Sequence, residues 1–423
     1  MKKLGFIGLC LAAATLTASA QMSVVKDAKK AFKPGEDFNI FVEAISPAFT
    51  NPETANLAET WYTAGEAGFK NFDNIMAMYQ VTNQIDAAQA ENMGRSLLKG
   101  YEYYLKALSL DSIPNEKGQV KPKFTSKILK AIGSNQNSFY LAGVTLFNFA
   151  KDYENAAKAW DIYLGMSDMD FLGKEKPAAL DPTVAGEIHW YNALAKNWMQ
   201  TPDIKGALAD IEAALALGYA DEEGQIFGVA TDNAGALKDT DAQVKYARMG
   251  FQKTGKPVFM QVVVNSFLDK GDYAGANAII DEELQNITDP VQKAPFYMLK
   301  GIIIEQTEKG SADEVDKATE MYKKSIEADP NYAAGHYHMG RIKIRKAEEL
   351  DQATPSDMSQ ADYNAYQKST LIPLKLEAAA DLVKAYQLDN NLKDALDLLD
   401  RLSYAMNDAA AQKQVEEMLQ GLK

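Results

Sequence analysis

A pattern of large and small residues recurs along this chain in two linked parts. The first part reads large, two spacers, large, small, two spacers, large, as in Tyr191–Trp198. The second part reads small, three spacers, large, two spacers, small, as in Ala207–Ala214. The second part begins sixteen residues after the first in three places, which are Tyr140 to Ala156, Tyr191 to Ala207, and Met260 to Ala276. A register kept three times predicts a structural repeat.

The spacings within the pattern are those of α-helices. Intervals of three and four residues place the large and small side chains on one stripe of a helix. Small residues such as Ala195 and Ala207 let two helices approach, and large ones such as Trp198 fill the space beside them. Turn residues follow, at Pro202 in one unit and Gly271 in another. A single helix pair cannot bury its own stripe, so the pairs must stack.

This pattern resembles the tetratricopeptide repeat (TPR). Glu327–Gly340, EADPNYAAGHYHMG, is similar to the junction between two such units, and the resemblance covers most of residues 36–423. With its lysine-start leader and stretched repeats, the chain resembles the exported TPR proteins of Bacteroidetes. The resemblance implies an all-α fold, a right-handed superhelix (α-α solenoid) of about seven helix pairs, some with extended helices. It also implies a scaffold that binds a protein or peptide in its concave groove.

The domain organisation follows from this reading. We expect an export leader over residues 1–20, a repeat region over 21–390 and capping helices over 391–423, where apolar and charged residues alternate as in a polar solenoid end. The helix pairs are expected near residues 37–112, 125–168, 184–219, 222–256, 257–290, 294–330 and 331–390.

One unit is much longer than the others. His336 and Ala378, at corresponding pattern positions, are 42 residues apart, 26 more than the regular sixteen. Thr354–Asp357 predicts a helix start with threonine as the cap, and Pro373 predicts a kink. We therefore expect a long hairpin that projects from the stack. Its segment 346–376 is an alternative binding surface to the groove.

The first twenty residues predict an export signal. A basic start, Met1–Lys3, precedes a short apolar run, and Ala18–Ala20 offers the small residues of a cleavage site before Gln21. Cys10 follows Leu9, whereas lipidation needs a small residue there, so plain cleavage is favoured over a lipoprotein. The expected location is the periplasm, with association with the outer membrane left open.

Charge and cysteine content exclude several functions. The chain has 44 basic and 58 acidic residues; two lysines leave with the leader, so the mature net charge is 42 − 58 = −16. Such a charge argues against nucleic acid and anionic membranes as partners. The one cysteine, Cys10, lies in the leader. The mature chain is therefore expected to have no disulfide, zinc–thiolate site, iron–sulfur cluster or thiol nucleophile.

No catalytic pattern stands out. His336 and His338 are two residues apart, so on a helix they point about 200° from each other and cannot share a metal ion. His336 takes a large-residue position and is expected to pack between helices. A nucleophile elbow and a glycine-rich phosphate loop are both missing from the sequence. We predict a non-enzyme with no cofactor and no metal.

The resemblance places partners against the first helices of the pairs. The candidate groove residues are His189, Asn192, Lys196, Gln261, Asn265, Tyr337, Arg341 and Arg345. Amide side chains can donate to and accept from an extended peptide backbone, and arginine pairs with acids. The alternative is that these positions are ordinary solvated helix surface.

Two further hypotheses concern the surface. Ser112–Phe124 carries Lys117, Lys121 and Lys123, a basic island on an acidic protein, which is either a partner contact or a solvated turn. The alternative function is a carbohydrate-binding helper at the outer membrane, related to TPR-like glycan-binding proteins. Those proteins are lipoproteins with a cysteine at the cleavage site, which this chain lacks, so the scaffold is favoured over this alternative. Glycan binding would also require a shallow platform of exposed aromatic residues.

Overall fold

The computed structural model describes residues 22–30, 32–114, 118–311 and 313–422, so the predicted leader lies outside the described part. Within these residues the structure is helical and has no β-strand, only an isolated bridge between Pro34 and Glu36. Among the described helices, none is long and apolar enough to cross a membrane. The chain divides into two compact units, the first ending at Asp221 and the second beginning at Glu222.

The first unit is a succession of helices, most of which pack on their neighbours along the chain. They are α1 (22–30), α2 (Phe38–Thr50), α3 (Pro52–Ala55), α4 (Ala58–Thr82), α5 (Ala87–Asp111), α6 (Thr125–Gly133), α7 (Gln136–Thr145), α8 (Tyr153–Gly165), α9 (Pro182–Trp198) and α10 (Ile204–Ala216). A π-helical turn, Leu146–Ala150, extends α7. Residues 37–112, expected to form one helix pair, hold four helices, because α2 and α3 precede the long pair α4–α5.

The second unit continues the same arrangement. Its helices are α11 (Gln225–Ala236), α12 (Thr240–Thr254), α13 (Pro257–Asp269), α14 (Tyr273–Asn286), α15 (Pro290–Thr307), α16 (Glu314–Ala328), α17 (Ala333–Gln352), α18 (Gln360–Tyr366), α19 (Ile372–Leu388), α20 (Lys393–Tyr404) and α21 (Ala409–Gln420). Most sequence neighbours pack on each other, α17 packs on α19, and α15 also packs on α13 and α17. The predicted all-α fold of TPR-like helix pairs is confirmed.

Aspartate starts the second helix of four successive pairs. The side chains of Asp152, Asp203, Asp239 and Asp272 each accept a hydrogen bond from the backbone N–H three residues later. Such a cap satisfies one of the free N–H groups of the first turn and contributes about 1 kcal/mol. In the last of these turns Gly271 has φ +70°, a conformation that favours glycine.

Small residues occupy the close approaches between helices. Ala195 of α9 and Ala207 of α10 are fully buried, as the pattern predicts. Gly143 of α7 faces Trp160 of α8 so closely that a Cβ would lie 2.2 Å from the indole Nε1. The two helices can therefore pack at this distance only with glycine there.

The long unit differs from its prediction in one detail. Its second helix begins at Gln360 with Ser359 as N-cap, so the predicted start at Thr354 is wrong. The Thr354 hydroxyl instead donates to the carbonyl of Asp351 at the end of α17. A π-helical turn, Gln367–Leu371, joins α18 to α19 just before Pro373. This wider turn lies where a proline ring would clash with the carbonyl four residues earlier in a regular α-helix.

Candidate functional site

Three of the predicted groove residues lie together on α9, but they face neighbouring helices. Asn192 Nδ2 donates to Asp161 Oδ1 of α8 at 2.7 Å and to Asp210 Oδ2 of α10 at 3.0 Å. Lys196 Nζ donates to the same two oxygens at 2.9 and 2.7 Å. His189 Nδ1 donates to Asp210 Oδ1 at 2.7 Å. The α9 cluster, these three residues with Asp161 and Asp210, ties three successive helices together.

Burial in the α9 cluster corrects the sequence prediction. Asn192 has no exposed surface, so its prediction as a groove residue is wrong, and so is the alternative of a solvated helix surface. The physical reason is that α9 is covered on both sides, by α8 and by α10. Burial alone would lower the pKa of Lys196, but its hydrogen bonds and charge interactions with Asp210 and Asp161 raise that pKa instead. The cluster is therefore a paired, largely buried ionic network.

The two predicted arginines of α17 are also paired within the chain. Arg345 donates through Nη1 and Nη2 to the two carboxylate oxygens of Glu314, at 2.6 and 2.9 Å. Arg341 donates to Glu305 and, at 3.3 Å, to His338 Nδ1. Glu314 is 1% exposed, so the pair is a bidentate bond to a buried acid. Neither guanidinium offers all its donors to a partner.

The histidines and Tyr337 of α17 complete this region. Burial and the charge of Arg341 lower the pKa of His338 to about 3, so its imidazole is neutral at pH 7. His336 is buried as expected, and its Nε2 donates to the carbonyl of Pro330 at 2.9 Å. Tyr337 is half-buried and packs on the apolar cluster of the C-terminal helices.

The two predicted residues of α13 remain available. Gln261 and Asn265 are exposed one turn apart, and neither side chain has a hydrogen-bond partner among the described residues. Asn265 lines a shallow depression of about 290 Å³ together with Thr240 and Gln243 of α12. Their role in binding stays a prediction.

The basic loop is held at its second half. The Asp111 carboxylate accepts the backbone N–H groups of Lys123 at 3.0 Å and of Phe124 and Thr125 at 2.8 Å. Burial alone would raise the pKa of Asp111, but these hydrogen bonds and that of the Thr125 hydroxyl lower it. Lys121 and Lys123 are exposed, while Lys117 lies outside the described residues.

An aromatic patch on α7–α9 is the feature that sequence reasoning missed. It consists of Tyr140, Phe147, Tyr153, Trp160, Tyr191 and Trp198. Trp198 is 51% exposed and Tyr191 37%. The Trp198 ring stacks on Phe147 with centroids 5.4 Å apart and planes inclined by 23°. The expectation that Trp198 fills the core is therefore wrong. It ends α9 and rests with one face on the preceding helix pair.

A pocket of about 220 Å³ opens within the aromatic patch. Its walls are Tyr140, Val144, Phe147, Asn148, Trp160, Glu187, Ile188 and Tyr191. The Tyr191 centroid lies 6.3 Å from those of Phe147 and Trp160, with the rings inclined by 68° and 37°. Nothing in the spacing pattern distinguishes a large residue that is fully covered from one that lines a pocket.

Comparisons with known proteins find structural likeness only. No family model and no curated protein matches the sequence. Yeast Tom70 is 15% identical; the match covers 96% of this chain and 76% of that one, with a TM-score of 0.37. The C-terminal part of a TPR repeat-containing protein from Cytophaga hutchinsonii is 13% identical. That match covers 64% of this chain and 93% of the other, with a TM-score of 0.32. The TPR2AB domain of yeast Sti1, solved in complex with pHSP90, is 13% identical. That match covers 86% of this chain and 98% of the other, with a TM-score of 0.22. Likenesses this distant say nothing of activity or partner.

Proposed function

We propose that this TPR-like protein is a non-enzymatic scaffold that binds a protein or peptide partner at the aromatic patch. The observation that carries the proposal is the exposure of Trp198 and Tyr191 beside a preformed pocket. Tryptophan and tyrosine dominate the energetics of protein interfaces, and contiguous exposed apolar surface marks binding sites. In the patch Trp198 and Tyr191 are exposed, and both rings lie against the buried ring of Phe147.

The α9 cluster and the arginines of α17 are weaker candidates for the same role. Their charges already have partners inside the chain, as Lys196 has in Asp210 and Arg345 has in Glu314. A ligand would have to displace these partners and leave a buried carboxylate unpaired, which costs about 3–5 kcal/mol. The aromatic patch binds without breaking an existing bond.

The test is a comparison of two variants that each remove one exposed aromatic side chain. Trp198→Ala removes the most exposed ring of the patch, whereas Tyr404→Ala removes a side chain that is 76% exposed at the end of α20. A partner is first captured from the native host by crosslinking, and its affinity for each variant is then measured by calorimetry. We expect Trp198→Ala to lose more than about 2 kcal/mol of binding free energy and Tyr404→Ala to bind like the parent. Equal affinities of the parent and Trp198→Ala would refute the proposal.

The proposed location is the periplasm. It is supported by the basic start, the apolar run and the small residues before Gln21. Expression of the full chain in a Gram-negative host, followed by mass spectrometry of the product, tests it. The expected product begins at Gln21, and a product that retains Lys2 and Lys3 in the cytoplasm contradicts it.

A carbohydrate-binding role is the second candidate, because the aromatic patch supplies an exposed indole face at Trp198. Trp160 and Trp198 report on ligands by their fluorescence. Titration with neutral oligosaccharides should change the emission of the parent, and not that of Trp198→Phe to the same extent, if sugars are the ligand.

A further inference from the structure

We infer that the pocket of the aromatic patch takes the cationic side chain of a partner peptide, that of lysine or arginine. The inference rests on the proposed function and names the chemistry of the residue that the partner inserts. It starts from the walls of the pocket, which combine four aromatic rings with one carboxylate, that of Glu187.

The aromatic rings form walls around the pocket. Phe147, Trp160 and Tyr191 have centroids 5.5 to 6.3 Å apart, and their planes are inclined by 37° to 68°. Inclined rings can turn their negative faces towards one point from several sides. A cation within about 6 Å of a ring centroid is attracted by the ring quadrupole. Centroids 5.5 to 6.3 Å apart allow one ammonium or guanidinium to lie within that distance of two rings.

Glu187 adds the complementary charge. It is exposed at the rim on α9 and makes no ion pair with any residue that the structure describes. Asp161 of α8, by contrast, is already bound to Lys196 and Asn192. A carboxylate beside aromatic rings favours a cation over a neutral side chain of the same size, because the positive charge is attracted both by the carboxylate and by the rings.

The volume of the pocket selects a single side chain. At about 220 Å³ it is below the range of about 300–1,000 Å³ that is usual for small-molecule sites. An oligosaccharide therefore does not fit inside it, whereas the end of one long side chain does. Trp198 and Tyr153, beside the pocket, would then contact the peptide on either side of the inserted residue.

The experiment uses the purified full-length mature chain and short peptides of known composition. Acetylated, amidated peptides of glycine and serine carry one central lysine, arginine or norleucine, and binding is measured by calorimetry and tryptophan fluorescence. Norleucine keeps the alkyl chain of lysine without its charge. We expect the lysine or arginine peptide to bind at least about tenfold more tightly than the norleucine peptide, and that preference to weaken with added salt.

Two pocket variants and one control locate the effect. Glu187→Gln removes the charge and keeps the shape, and Tyr191→Leu removes a ring and keeps an apolar side chain. Each variant should reduce the preference for lysine over norleucine by about threefold or more. Glu43→Gln removes an exposed charge on α2 and should bind like the parent. Circular dichroism and melting curves confirm that each variant is folded.

The outcomes separate this inference from the proposed function. Equal binding of the lysine and norleucine peptides overturns the inference, as does no measurable binding of any peptide or competition by neutral oligosaccharides at the pocket. If Trp198→Ala loses the captured partner while Glu187→Gln keeps it, the proposed scaffold function is supported and the inference of a bound cationic side chain is refuted. If no partner is captured but the lysine preference is found and depends on Glu187, the pocket chemistry stands without the proposed macromolecular partner.

Discussion

Gly143 of α7 and Trp160 of α8 are in such close contact that a Cβ on the glycine would meet the indole Nε1 at 2.2 Å. Trp160 is both a buried core residue and a wall of the aromatic pocket. The packing of two helices and the shape of the candidate site therefore depend on the same contact.

Gly143→Ala should accordingly destabilise the fold and close the pocket. Inserting a methyl group into a packed site costs about 1–3 kcal/mol, and the displaced indole would move into the pocket. Gly165→Ala is the matched control, because that glycine lies at the end of α8 with no atom within 4 Å of the added Cβ. Thermal melts should show a lower midpoint for Gly143→Ala alone. Equal midpoints would contradict the close contact.

A second prediction concerns the α9 cluster. Asn192→Ala with Lys196→Ala leaves the largely buried carboxylate of Asp210 with His189 as its remaining partner in the cluster. We expect a loss of about 2–4 kcal/mol in unfolding free energy, because buried charges without partners are costly. Gln261→Ala with Asn265→Ala, on exposed positions of α13, should stay within about 0.5 kcal/mol of the parent. Urea titration of both double variants measures the two losses in unfolding free energy. Similar losses in the two variants would contradict the structural role assigned to the α9 cluster.

The repeat itself was predictable from the sequence. The small residues Ala195 and Ala207 mark the close approach of α9 and α10, and they are fully buried. The predicted turns at Pro202 and Gly271 lie directly before Asp203 and Asp272, which are the N-caps of the second helices. These features depend on local spacing and on side-chain-to-backbone bonds, which a single sequence displays.

The site was less predictable, because spacing says which residues share a face and not what covers that face. Asn192 and Lys196 share a face of α9, but their partners Asp161 and Asp210 lie 14 to 35 residues away on other helices. Trp198 has the same pattern position as Phe147, which is buried, yet it ends its helix and stays half exposed. Only the assembled helices distinguish these cases.

Acid sensitivity is the third prediction. The folded chain holds the pKa of His338 at about 3, below the value of about 6.5 in the unfolded chain. The unfolded state therefore binds this proton first as the pH falls, and the stability contributed by His338 is full above pH 6.5 and is lost from there towards pH 3. Between pH 7 and pH 5 the loss should be about 2 kcal/mol.

The variant His338→Gln has no such proton to bind. Urea titrations of the parent and the variant at pH 7 and pH 5 give four free energies of unfolding. The difference between the two pH values should be larger for the parent, and an equal difference in both proteins would show that His338 titrates normally when folded. The contribution of the carboxylates to the pH dependence cancels in this comparison, because both proteins share them.

The fourth prediction concerns the basic loop, where replacing the lysines and replacing Asp111 should affect stability differently. Changing Lys117, Lys121 and Lys123 to glutamate should shift stability by no more than about 0.5 kcal/mol, because the described lysines among them are exposed. Asp111→Ala should cost about 1–3 kcal/mol, because it leaves the N–H groups at the start of α6 without their acceptor. If the loop contacts a partner, the triple variant also loses a captured protein. An unchanged set of captured proteins would leave the loop as a solvated turn.

The last prediction concerns the C-terminal helices, which cover the apolar face of α19. Leu399 and Leu402 of α20 and Val415 of α21 are buried against a cluster that includes Leu382 and Ala385 of α19. Each leucine contributes about 1.5–3 kcal/mol by burial, so a chain that ends after Asn391 loses several such contributions and exposes the face of α19 to water. We expect this truncated chain to melt at a lower temperature and to elute as aggregates, whereas a chain ending after Gln420, which keeps both helices, should elute like the full chain. Monomeric elution and an unchanged midpoint for the shorter chain would show that α19 needs no cover, and that α20 and α21 are an appendage rather than the cap of the repeat stack.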